Sequence, residues 1–311
     1  MLTRRGFVAT SAALSLVPLG GAGALTQVAG AYRRGVGDTV VTALLDGYLE
    51  LDPNMLTGSD KEANKALLRD AFIATDAVET SVNAYLIQTP NNTVLVDGGA
   101  GSAFGPTAGN LPAAIEAAGV APDDVDTLFC THLHPDHVGA FIADGEAAFA
   151  NAELVVHSAD QTFWSNDDNF ADAGEQAQNF AAIAQSVLSA YQDRLRAVEN
   201  GVEIVPGVQV MHFPGHTPGH SGLMVSSGDS SMLLWGDIVH IGPVQFARPE
   251  LTIPFDVNQP KAAETRAGVL DMVAADRIEI AGSHIDFPSF GHVEKAPDGY
   301  TFTPSRWDHK I

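Results

Sequence analysis

The sequence predicts an α/β fold, and three observations carry that expectation. Apolar, strand-like runs recur along the chain. Longer stretches with helical character lie between several of them. Most of the strand-like runs end in a polar loop rich in Gly, Pro or His, the position where α/β folds usually place their chemistry. With 311 residues, 45% hydrophobic and 17% charged, the chain can bury a large core.

Taken in order, residues 1–24 read as a leader. Arg4 and Arg5 precede an apolar run from Phe7 to about Leu19, which ends in small residues through Ala22-Gly23-Ala24. This is the pattern of a twin-arginine export signal, too short for a stable membrane span, and it predicts a periplasmic or secreted protein with no membrane anchor once the leader is removed. Residues 25–311 are then expected to form one domain. In it, TSVNAYLIQT, a PNN turn and TVLVDGGAG read as a hairpin whose second strand ends at Asp97. DTLFC leads to His132, VQVMHF to PGHTPGH, SMLLWGD to Asp237 and RIEIAGSH to His284. Helices are expected at 112–119, over the Ala/Gln-rich stretch 175–200 and at 259–275. Cys130 is the only cysteine, so no intrachain disulfide can form; at the end of an apolar strand it reads as a buried small hydrophobe.

The densest chemistry lies in His132-Leu133-His134-Pro135-Asp136-His137. An extended or tightly turned backbone sends His132 and His134 to one side, and a turn at Pro135 swings Asp136 and His137 round behind. Neutral imidazole and carboxylate are good ligands for zinc and neighbouring divalent metals. Four of them on one loop supply about half of a two-metal site.

This His-x-His-x-Asp-His run resembles the metallo-β-lactamase fold, and later landmarks resemble it in the same order: Phe213 to His220, Gly236-Asp237 and Gly282-Ser283-His284. The resemblance covers roughly residues 38–311. It implies an αββα sandwich, two mixed β-sheets face to face with helices outside and the metals at one edge. It implies that His132, His134 and His216 hold one divalent metal, that Asp136, His137 and His284 hold the other, and that Asp237 bridges them. Zinc is the first expectation, with manganese, cobalt or iron also suited to such ligands. Asp97 and His220 are expected behind the ligands, orienting them.

The segments GSAFGPTAGNL, THLHPDHVGA, LLWGDIVHIGPVQFARPELTIPFD and SHIDFPSFGHV are similar to methyl parathion hydrolase and its lactonase-like relatives. That resemblance implies an aromatic pocket at Phe104, Trp164 and Phe180, with Trp164 read as an exposed binding aromatic in a polar loop. Relatives of this kind are often homodimers. His240 stands where acyl-homoserine lactonases of this fold carry a tyrosine. In the methyl parathion hydrolases smaller residues are expected at both 240 and 255, so His240 and Phe255 should narrow the pocket.

The implied activity is hydrolysis of a small lactone or aryl ester by a hydroxide held between two metals. His240 would hydrogen-bond the substrate, and Asp136 or Asp237 would pass a proton to the leaving group. Phosphotriester cleavage is expected as a side activity. The alternatives are a true organophosphate phosphotriesterase, an acyl-homoserine lactonase, a mononuclear iron dioxygenase of the same fold, or a zinc-binding protein without catalysis. Asp237 argues against a β-lactamase. The 27 residues after His284 leave little room for the helical domain that glyoxalase II uses. A formal charge of −22 argues against nucleic acid as a partner.

Overall fold

A computed structural model describes residues 30–58, 60–309 and 311. The leader at 1–24 lies outside the described residues. Two seven-stranded mixed sheets carry the fold. The first contains β1 (Ala31–Val36), β2 (Thr39–Leu51), β3 (Val78–Gln88), β4 (Thr93–Val96) and β5 (Thr127–Phe129). A two-stranded hairpin, β6 (Ile142–Ala143) and β7 (Glu146–Ala147), stands apart, and the first sheet continues with β8 (Glu153–His157) and β9 (Leu195–Val198). Strands β1 to β4 pair antiparallel; β4, β5, β8 and β9 pair parallel. The expected hairpin is the β3–β4 pair, with Gln88 opposite Thr93.

The second sheet runs β10 (Glu203–Val205), β11 (Val208–His212), β12 (Ser221–Ser227), β13 (Ser230–Leu234), β14 (Glu279–Ala281), β15 (Gly291–Lys295) and β16 (Tyr300–Pro304). Its single parallel pairing is β13 with β14.

Strand alternation explains the layers. In β3, Tyr85 and Ile87 face one way and join Val94, Val96, Phe129, Leu223, Val225 and Leu234 in a core between the sheets. Ala84 and Leu86 face the other way and join Leu95, Leu128 and Leu154 in a core under helices. Those helices are α2 (Leu111–Ala117), α4 (Ser158–Trp164) and α5 (Glu175–Ala190). On the far side, Leu233, Ile280 and Val293 pack with Val269, Leu270 and Val273 of α7 (Gln259–Asp276). Both faces of each sheet are thereby buried, each large aliphatic side chain contributing about 1.5–3 kcal/mol. This is the expected αββα sandwich.

Helix α7 matches its sequence limits. The Asn258 side chain accepts from the Lys261 amide at its start, Pro260 occupies the first turn, and Arg277 closes it in the left-handed region at φ 53°. Helix α5 is shorter than expected: it stops at Ala190, and Leu195–Val198 becomes strand β9, paired parallel to β8.

The topology decides where the chemistry goes. Strands β4, β5 and β8 are parallel, so the residues after their C-termini gather at one edge. Strands β13 and β14 deliver Asp237 and His284 to the same place.

Candidate metal centre

After β5 the chain turns through Thr131–His134 into the short helix α3 (Pro135–Val138), with His134 at its N-cap position. Proline at the first helical position fixes this turn. His132 and His134 project forward, and Asp136 and His137 project from the helix turn. The His134 Nδ1 atom lies 2.9 Å from His132 Nε2 and 3.1 Å from His216 Nε2, and the His132–His216 Nε2 separation is 3.2 Å. Three ring nitrogens this close to one another cannot each be satisfied by hydrogen bonds among themselves, but a cation at their centre suits all three.

The second group forms beside it. Asp136 Oδ2 is 3.5 Å from His137 Nε2 and 3.4 Å from His284 Nε2. Asp237 reaches both groups: its carboxylate oxygens lie 3.3 Å from His137 Nε2, 3.2 Å from His284 Nε2 and 3.3 Å from His216 Nε2. All seven residues are buried. Asp237 Oδ1 and His137 Nε2 are buried and, though 3.3 Å apart, are not aligned for a hydrogen bond, a costly state that a shared cation relieves. The donor set and its orphaned atoms fit divalent metal.

A ring of contacts behind the ligands sets their direction. Asp97, in the left-handed region at φ 62°, accepts from the Thr131 amide at 2.8 Å and stands 2.8 Å from His137 Nδ1. His220 sits with Nδ1 3.0 Å from the Phe213 carbonyl, while its Nε2 accepts from the Asp237 amide at 2.9 Å. Both stand behind the converging side chains, in contact with them. Gly236 precedes Asp237 at φ 62°, and a Cβ there would lie 2.6 Å from His220 Nε2, so only glycine lets the two loops close.

Sequence reasoning missed two carboxylates in this ring. Asp256 Oδ1 is 2.8 Å from His216 Nδ1. Asp160, on α4, accepts from the Gly219 amide at 2.6 Å and the Leu133 amide at 3.3 Å, tying both ligand loops of the first group together. Asp160 lies in no quoted segment, and Asp256 closes the segment LLWGDIVHIGPVQFARPELTIPFD without carrying an expected role there. The signal is burial of an acid, which only the fold reveals. Burial pushes the Asp160 carboxyl up to about 6.

Burial also holds His132 and His134 well below the ordinary histidine value, aided by His137 and His216 respectively, so their lone pairs are free. At His284 burial acts the same way, but Asp237 and Asp136 outweigh it and hold the ring up to about 10. A divalent cation would take the place of such protons between the same imidazoles and carboxylates.

The sequence pattern of the Metallo-beta-lactamase superfamily matches residues 77–284, a span that includes all seven converging side chains. The chain belongs to the metallo-beta-lactamase superfamily. Among solved structures of the superfamily, the hydrolase AbOPH is 34% identical, with a TM-score of 0.87 over 91% of this chain and all of that one. The dizinc quorum-quenching lactonase AidC, solved with a homoserine product, is 23% identical with a TM-score of 0.86 over 91% of this chain and 99% of that one, which shows a shared fold. Among curated relatives, an N-acyl homoserine lactonase of Bacillus sp is 29% identical over 120 residues, 39% of this chain and 40% of that protein. The lactonase AiiB of Agrobacterium fabrum (strain C58 / ATCC 33970) is 26% identical over 172 residues, 49% of this chain and 60% of that protein. The matches thus span about two fifths to three fifths of the lactonases' own length.

In this superfamily member the His/Asp cluster floors a cavity of about 430 Å³. Phe104, Phe180, His240 and Phe255 line it with Leu49, Leu51 and Ile253. Phe104 and Phe180 meet edge to face at 6.1 Å. His240 Nε2 lies 3.2 Å from Asp237 Oδ2, and its ring stacks on His284 at 5.3 Å.

Trp164 departs from expectation. It is 3% exposed and does not line the cavity. Its ring stacks on Phe170 at 5.2 Å and meets His134 edge-on at 5.5 Å, so it backs a candidate ligand rather than facing substrate. Its polar sequence neighbours belong to the outer face of α4. Asp160 and Trp164, four residues apart, share the inner one.

Proposed function

We propose that this protein is a metal-dependent hydrolase that uses two divalent cations, zinc first among them, to open lactones or cleave aryl esters. The observation that carries the proposal is Asp237, whose carboxylate lies within 3.3 Å of imidazoles from both ligand groups at the floor of a largely apolar cavity. The AbOPH hydrolase and the lactonases among its relatives support it.

His132, His134 and His216 would hold one cation, Asp136, His137 and His284 the other, and Asp237 both. When bound, such a pair supplies Lewis acidity and water ionised near neutral pH. The chain's own groups supply the rest. Phe104 and Phe180 form an apolar wall for the aryl or ring portion of the substrate. His240, above Asp237, can donate a hydrogen bond to the carbonyl or leaving oxygen. An alkyl leaving group needs a proton, which Asp136 or Asp237 can take from the attacking water and pass on to it; an aryl one barely does. If residues 1–24 act as the twin-arginine leader that their sequence resembles, this chemistry would take place in the periplasm or outside the cell.

His240 and Phe255 narrow the cavity, which favours a flat ring over a tetrahedral phosphotriester. The test is kcat/KM of the zinc-loaded protein on dihydrocoumarin and on methyl parathion. A lactone preference of about 100-fold, roughly 2.7 kcal/mol, is expected. H240L/F255L should raise triester turnover by about tenfold, roughly 1.4 kcal/mol. A triester preference in the wild type, with no gain in the variant, would identify a phosphotriesterase instead. Likeness to the acyl-homoserine lactonases favours a second reading, and N-hexanoyl-homoserine lactone as a third substrate separates it: this reading requires that lactone to be turned over better than dihydrocoumarin.

A further inference from the structure

We infer that Arg266, on α7, is a positioning residue for the metal centre: one buried guanidinium fixes both the loop that carries Asp237 and the loop whose Asp256 orients His216. The inference rests on reading the His/Asp cluster as a metal site.

Arg266 is 1% exposed, a costly position for a cation in a protein with only 16 Lys and Arg. Three of its five N–H donors go to backbone carbonyls, and Nη2 faces a carboxylate. Nε donates to the Ile238 carbonyl at 2.6 Å, one residue past Asp237. Nη1 donates to the Leu251 carbonyl at 2.7 Å and the Pro249 carbonyl at 2.9 Å. Nη2 lies 3.8 Å from Asp256 Oδ2. The other Asp256 oxygen is the one 2.8 Å from His216 Nδ1.

The path from the helix to the ligand is therefore short and continuous. The guanidinium faces one Asp256 oxygen at 3.8 Å and so sets how the carboxylate presents its other oxygen to His216 Nδ1. With Nδ1 held there, the His216 ring turns its Nε2 toward His132 and His134. The same guanidinium pins residues 249–251, just before the cavity-lining Ile253 and Phe255. Gln245 braces this arrangement from the other side: its oxygen accepts from the His240 amide at 2.7 Å, and its nitrogen donates to the Leu251 carbonyl at 3.1 Å. Lysine has one charged nitrogen and no planar fork, so it cannot reach three carbonyls and a carboxylate together.

A purely structural arginine would affect only melting, so the test reads the metal centre directly. Cobalt-loaded wild type, R266K and R266A are compared by visible absorption and by chelator competition. V273A, a buried α7 change remote from the cluster, serves as a control for general destabilisation. Loss of an outer partner of a ligating histidine typically weakens metal binding 10- to 100-fold. That range is expected for R266A, with a smaller loss in R266K and a changed cobalt spectrum in both. Guanidinium chloride below denaturing concentration should restore part of the R266A spectrum, and sodium chloride at the same ionic strength should not. V273A should melt lower with an unchanged spectrum. Wild-type affinity and spectrum in R266K and R266A would overturn the inference. If R266A does not fold, an unchanged R266K alone overturns it, as would a V273A spectrum shifted as far as that of R266K. Failure of the wild type to take up cobalt would instead remove the metal reading itself.

Discussion

The convergence of His132, His134, Asp136, His137, His216, Asp237 and His284 is legible in the sequence, because side chains that meet from short loops leave fixed local spacings. Their supports were legible only in part. Asp97 and His220 stand inside the motifs and could be read there. Asp256 and Asp160 act across 40 and 59 residues of chain, and no local spacing ties either to the histidine or loop it supports. Asp256 gives a sharp prediction at this scale. D256N keeps the shape but removes the charge that fixes the His216 tautomer, so metal affinity should fall by about tenfold or more while the fold persists. Competition with a chromogenic chelator measures it, and wild-type affinity in D256N would show that His216 needs no such partner.

Whole elements were legible where their periodicity was clean. The β3–β4 hairpin and α7 match their expected limits to within a residue or two. The stretch 175–200 was read as one helix because no Gly or Pro interrupts it before Gly201. The structure ends α5 at Ala190, and an open parallel edge on β8 recruits Leu195–Val198 as a strand, a tertiary effect that local sequence does not carry. Helix α4 shows the same limit, since its polar outer face made Trp164 look exposed. The corrected position predicts the effect of W164A. Removing a buried aromatic costs about 3–5 kcal/mol, so the melting temperature should fall on the order of 10 °C. Metal binding should weaken as His134 loses its backing. Unaltered melting with a raised KM alone would return Trp164 to the substrate pocket.

At the scale of the molecule, the sandwich and the centre depend on each other. The ligands come from both sheets: Asp136 and His137 follow β5 of the first, and Asp237 and His284 follow β13 and β14 of the second. Cations bound there cross-link the two layers. Binding to the folded state alone stabilises by roughly 4 kcal/mol per site when free metal exceeds the dissociation constant a thousandfold. Exhaustive chelation should therefore lower the melting temperature by several degrees, and excess zinc should restore it. Equal melting with and without metal would mean that the cluster does not bind cations when folded.

The central claim is a two-cation centre bridged by Asp237, and counting metal tests it most directly. Mature protein is purified, loaded with zinc, desalted and assayed for metal per chain by mass spectrometry, beside D237A. The account predicts two zinc ions per wild-type chain and fewer than two in D237A, with dihydrocoumarin hydrolysis lost in step. A single tightly held ion in the wild type, iron above all, with no hydrolysis, would contradict it and point to the oxygenase chemistry that shares this fold.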